Sequence, residues 1–169
     1  FRGGFTRAAA HAVSPTRPAL LQALIDRSVL HVTDSDAADA ADRSRFDMHA
    51  LLRQFTHAKL AAHAELLQDA RQSHARHFAR QMAAAELQLK GANPRAAVQA
   101  LQRDFENYCA VWDHALSAAD GLRIDLLAQM AEGMMTYHEM QGAYHDGERL
   151  FANAVAAFGD TDRVRQRFG

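Results

Sequence analysis

From residue 50 onward, apolar residues recur every three or four positions with few residues to break them, a spacing that commits most of the chain to helix. In 50–67, Leu51, Leu52, Phe55, Leu60 and Leu67, with the stem of Lys59, trace one amphipathic stripe. Further helices are expected over 67–89, 94–118, 122–141 and 144–158. Lys90-Gly91-Ala92-Asn93-Pro94 ends one helix and starts the next, since glycine permits the reversed backbone of a helix end and proline suits only a first turn. Asp120-Gly121 is a second break, and the polar tail from Gly159 is expected to fray.

The first fifty residues read differently. A short helix fits 6–13, and Ser14-Pro15-Thr16-Arg17-Pro18 stops it, because each proline lacks a donor and restricts the residue before it. A second helix fits 18–27, with Leu20, Leu21, Leu24 and Ile25 at helical spacing. The β-branched content of 28–33 suggests a strand, an acidic, alanine-rich loop covers 34–42, and 45–49 alternates as a second strand able to pair with the first. Helix, helix, strand, loop, strand, helix is the order of a winged helix. The expected fold is therefore mainly α: a winged-helix-like unit with a small β-hairpin at 1–66, followed by antiparallel helical hairpins at 67–169.

Charge and cysteine content narrow the function. A net charge of -1 gives no overall attraction to nucleic acid or anionic lipid. Phe1 to Leu60 carries eight lysines and arginines against six aspartates, and the loop between the strands is acidic where a DNA-reading wing is basic, so direct DNA contact is disfavoured. No apolar run reaches the roughly 20 residues that span a bilayer, and no signal sequence opens the chain. The single cysteine, Cys109, allows no internal disulfide and reads as a small core residue between Phe105 and Trp112; a reducing, cytoplasmic setting is expected. The chain opens on Phe1 without an initiator methionine, so a piece of a longer polypeptide is expected.

The stretch Gly142-x-Tyr144-x-x-Gly147-x-x-x-Phe151-x-x-Ala154 carries the pattern of a tetratricopeptide repeat's second half. Small residues at Gly142, Gly147 and Ala154 are expected to let two helices approach, with Tyr144 and Phe151 filling the groove between them. The first half fits less well: His138 stands where an aromatic is usual, and Met134 and Met135 lie near the Leu-Gly positions. A solenoid needs several stacked units, so the array is expected to continue past Gly169.

Three segments, Phe1-Arg2-Gly3-Gly4-Phe5-Thr6-x-x-Ala9-Ala10, Leu21-x-x-Leu24-Ile25-Asp26-Arg27-Ser28-Val29-Leu30 and Arg45-Phe46-Asp47-Met48-His49-Ala50-Leu51-Leu52-Arg53-Gln54-Phe55, together resemble the STAND class of signalling ATPases, relatives of the NB-ARC proteins and of large bacterial transcriptional regulators. Asp104-Phe105-Glu106-Asn107-Tyr108 and Val111-Trp112-x-x-Ala115-Leu116 resemble the helices that join that module to its repeats. In the family, a winged helix follows the nucleotide-binding module and carries a Met-His-Asp signature whose histidine reaches the phosphates of bound ADP. The resemblance assigns that role to His49, after Met48; Ala50 replaces the aspartate, so the aspartate's auxiliary contact is missing. It implies ADP or ATP as the parent's ligand, an intramolecular nucleotide-binding domain as partner of the first unit, and a protein or small-molecule signal at the repeats. Read without it, His49 is a partly buried histidine that caps a helix.

Other chemistry lacks its residues. There is no Gly-x-x-x-x-Gly-Lys-Ser/Thr loop to cradle phosphates and no acidic strand to hold magnesium, so no cofactor and no catalysis are expected of the chain itself. Ten histidines include His74 and His77 three apart and His138 and His145 seven apart, but no cysteine or carboxylate completes a metal set, and none is expected. No Gly-x-Ser-x-Gly elbow supports a hydrolase. Two other functions fit the same residues, a winged-helix DNA-binding transcription factor and an autonomous helical protein-interaction module. The isolated chain is expected to release no phosphate from ATP above the buffer rate in a colorimetric assay; magnesium-dependent turnover would contradict this reading.

Overall fold

The computed structural model describes residues 1–14, 18–33, 44–117 and 123–168. Among them the chain forms seven helices and one small antiparallel sheet, and it divides into two compact units, Phe1–His77 and Phe78–Gly169.

The first unit starts with a strand too short to show in the sequence, β1 (Phe5–Thr6), which runs straight into α1 (Arg7–Val13). Thr6 serves both, pairing in the sheet and accepting the Ala9 N–H at 3.1 Å on its hydroxyl as an N-cap. Helix α2 (Pro18–Asp26) begins on its proline. It ends in a tight turn: the Val29 and Leu30 N–H groups both return to the Leu24 carbonyl, and Ser28 adopts φ 55°. That turn consumes Ser28, Val29 and Leu30, so the strand expected over 28–33 shrinks to β2 (His31–Thr33). It pairs antiparallel with β3 (Arg45–Asp47), which pairs with β1 on its other side, giving the order β1-β3-β2. The expected acidic loop at 34–42 lies outside the described residues. Phe46, in the central strand, is buried with Ala10, Leu21 and Leu30, and Phe5, Leu24, Ile25 and Met48 pack around them.

After β3 comes α3 (Ala50–Ala61), which buries none of its residues: Leu51 is 69% and Phe55 59% exposed. The expected helix over 50–67 breaks at Ala62-His63, where the His63 N–H turns back to Leu60, and α4 (Ala64–Leu89) starts there. Alanine and histidine carry no stop signal, so the pattern alone ran through the break.

In the second unit the end of α4 joins α5 (Pro94–Leu116), α6 (Ile124–Gln141) and α7 (Tyr144–Phe168). Asn93 accepts the Ala96 N–H and Pro94 takes the first turn of α5, so the start signal works as expected, while α4 stops at Leu89 without a reversed backbone at Gly91. The break expected at Asp120-Gly121 lies outside the described residues. Helix α7 runs on past the expected end at 158 to Phe168, and Gly159 within it is not of positive φ.

The middle of this unit is α6, whose buried residues Leu127, Met130, Gly133, Met134, Thr136, Tyr137 and His138 cover roughly half of its circumference. Gly133 allows this on the α4 side, where a Cβ would lie 2.8 Å from both the carbonyl oxygen and the sulfur of Met82. On the α5 side, Phe105 stacks on Tyr137 with ring centroids 4.7 Å apart. Phe78, Met82, Leu89, Val111, Met130 and Met134 complete the core, each worth about 1.5–3 kcal/mol when fully buried. At the rim, Lys90 donates to Glu132 at 2.7 Å and to Glu86 at 3.0 Å, tying the end of α4 to α6. These two bonds, Glu132 first, hold the ammonium above its ordinary value.

Gly133→Ala is expected to lower the second unit's stability by about 1–3 kcal/mol in urea unfolding, because a backbone oxygen cannot yield as a side chain can. Gly142→Ala should cost only about 1 kcal/mol, for its φ of 66° alone, since its Cβ would meet nothing within 4 Å. Equal midpoints for Gly133→Ala and the native chain would mean that α4 and α6 separate without cost.

Candidate functional site

The first candidate is the turn joining β3 to α3. Phe46 points into the core, so Asp47, next along the strand, faces the other way. Its Oδ1 accepts the Met48 N–H at 2.8 Å and an Arg53 Nη2–H at 2.6 Å. The same Nη2 donates to the Met48 carbonyl at 3.0 Å, and the Thr56 hydroxyl lies 3.5 Å from the Met48 sulfur. Met48 is thus held on both of its peptide groups, with its side chain against the core cluster.

His49 follows as the N-cap of α3. Its Nδ1 accepts the Leu51 N–H at 3.4 Å, and its side chain is exposed. An Nδ1 that accepts carries no hydrogen in the neutral ring, so the ring proton sits on Nε2 and is available as a donor. Beside it, the first-turn N–H groups of α3 supply partial positive charge. The helix-capping reading of His49 therefore describes the structure, with an exposed ring in place of a partly buried one. Ala50, the departure from the family signature, adds no polar group.

The second candidate is the motif over 142–154, which the structure divides. Gly147 does permit close approach: a Cβ there would lie 3.1 Å from the Cβ of His138 on α6. Ala154 is buried, and the half-buried Phe151 meets Trp112 of α5 edge-on, centroids 5.3 Å apart. Gly142 acts otherwise than expected. It ends α6 in the left-handed conformation, and no neighbour crowds it, so its role is the turn and not helix approach. Tyr144 is 66% exposed and fills no groove, because it stands at the start of α7, before that helix reaches its partners.

His138 occupies the position where the repeat pattern has an aromatic, and it packs as one. It is buried edge-on to Phe105 and Tyr137, and its Nδ1–H donates to the Met134 carbonyl at 2.7 Å. His145, by contrast, is fully solvated beside Glu148, so the two histidines form no ligand pair. Among the described residues no group of three or more histidine, cysteine or acidic side chains is placed to hold a metal. Cys109 is half-buried, less enclosed than the core position expected for it. The Trp112 indole N–H is buried with no hydrogen-bond partner among the described residues.

Sequence reasoning missed Gly133 and the Asp47-Arg53 pair. A lone glycine inside a helical pattern was the available signal for the first. The second had none, because residues six apart across a strand-helix turn show no periodic relation.

The chain matches no protein-family model, no curated protein and no solved structure. Among the described residues no helix is long and apolar enough to cross a membrane.

Tyr144→Ala is expected to change stability by less than about 0.5 kcal/mol, as for a surface site. Phe151→Ala should cost roughly 2 kcal/mol, below the full core value because its ring is only half-buried. Thermal unfolding of the two variants separates these roles, and equal losses would return Tyr144 to the packing set.

Proposed function

We propose that the chain is a non-catalytic regulatory and protein-interaction part of a STAND-type ATPase resembling bacterial transcriptional regulators, coupling the nucleotide state of the parent to a signal bound by helical repeats. One observation carries the reading. His49, the residue that the resemblance assigns to phosphate sensing, caps α3 with Nδ1 and keeps Nε2–H as an outward donor beside the helix N-terminus. In this reading the first unit is a winged helix whose wing is β2 and β3, and α4 to α7 are two stacked hairpins of tetratricopeptide type. The seating of α6 against α4, α5 and α7 supports the second part. ADP or ATP belongs to the intact parent, and the intramolecular partner is its nucleotide-binding domain. A signal at the repeats shifts an off/on equilibrium only if it binds the two states with different affinity.

A second reading, an autonomous helical protein-interaction module in a reducing cytoplasm, rests on the same packing of α6 and needs no nucleotide. Nucleotide retained by the complete gene product distinguishes the two. His49→Ala is expected to weaken ADP retention about 10- to 100-fold, the worth of a hydrogen bond to a charged group. Retention equal to that of the native protein would remove the nucleotide link and leave the second reading.

A further inference from the structure

We propose that Asp47 and Arg53 are positioning residues for His49, a clamp that sets the imidazole's direction from outside the Met-His-Ala triplet. Its functional meaning rests on the reading of His49 as an anion donor, whereas its geometry stands without it.

His49 is held only weakly by its own contacts. Its ring is exposed, and the cap bond to the Leu51 N–H, at 3.4 Å, is long for a hydrogen bond between nitrogen atoms. Alone, such a bond leaves the side chain free to turn. The backbone that carries the ring is held far better. The Met48 N–H is bound by Asp47 at 2.8 Å and its carbonyl by Arg53 at 3.0 Å, and that carbonyl belongs to the peptide plane that also contains the His49 nitrogen. With that plane held on one side and the His49 carbonyl accepting the Arg53 N–H at 2.9 Å on the other, φ -54° and ψ 141° set where the His49 Cα–Cβ bond departs.

One guanidinium nitrogen makes both links. Arg53 Nη2 divides its two hydrogens between Asp47 and Met48, closing a bridge over the residue before His49. The anchor reaches the core, because Met48 packs on the cluster around Phe46. At side-chain exposures of 38% and 32%, the ion pair is only partly shielded, so a pair of this kind adds little to stability; its effect is orientation. Position 50 cannot do this work, since alanine has no polar group. The clamp supplies, from one strand residue and one residue a turn into α3, the restraint that the triplet lacks.

The test is amide exchange of the Leu51 N–H in the ¹⁵N-labelled chain, which reads the cap bond directly and involves no nucleotide. His49→Ala is expected to speed Leu51 exchange about threefold or more, as loss of a cap does. Asp47→Asn and Arg53→Gln should do the same with His49 still present, while amides later in α3 keep native rates. In the His49→Ala background, Arg53→Gln should add nothing further at Leu51. Unchanged Leu51 rates in Asp47→Asn and Arg53→Gln overturn the proposal. So does uniform acceleration along Ala50–Ala61, which would mean that the pair merely supports the helix. If these exchange results hold but His49→Ala leaves nucleotide retention intact, the clamp stands and the nucleotide reading falls.

Discussion

The first unit depends on the burial of Phe46. Among the described residues it is the one strand residue fully inside the core, in the central strand, and strand periodicity does the rest. A slip of one residue in β3 would put Asp47 where Phe46 sits and leave a carboxylate in the cluster of Ala10, Leu21 and Leu30, at a cost of several kcal/mol. With the register set, Asp47 must face away from the core, Met48 must return to it, and His49 must stand where the chain leaves the sheet and enters α3. The cap, the ion pair and the orientation of the imidazole all follow from one aromatic ring that has nowhere else to go.

The second unit depends on a missing side chain. At Gly133 the backbone of α6 comes so near Met82 that no Cβ fits, and this closeness seats the buried half of α6 against α4. Gly147 repeats the device between α7 and the His138 ring. Between these contacts lie the rings of Phe105, Tyr137 and His138, and His138 can serve as one of them because its Nδ1–H is satisfied by its own helix. A buried polar ring is tolerated here through a local bond to a carbonyl four residues back.

Most helices were readable because their signals are local. Pro18 and Asn93-Pro94 mark helix starts through chemistry that needs no distant partner, and in the structure Thr6 and Gly142 do the same at other ends. The failures share one cause. The break at Ala62-His63, the two-residue β1 and the shortening of β2 by the turn at Ser28 each arise where backbone hydrogen bonds go to partners that no spacing rule identifies. At the candidate site, the type and position of His49 were visible, as was its place before a helix. Its tautomer and the bridge from Asp47 to Arg53 were not, because these are properties of three-dimensional proximity.

By itself, the sequence determined the helical character of the chain, the stop and restart at 90–94 and the absence of a phosphate-binding loop, all of which depend on residue type and short-range order. Only the tertiary structure decided which small residues mediate close packing. Gly133 and Gly147 do so, and Gly142 does not, because contact distance depends on which helix lies opposite, and a glycine in a pattern does not say what it faces. The same holds for Tyr144 and Phe151: two aromatic residues of one motif, one in water and one against Trp112, separated by where α7 first meets its neighbours.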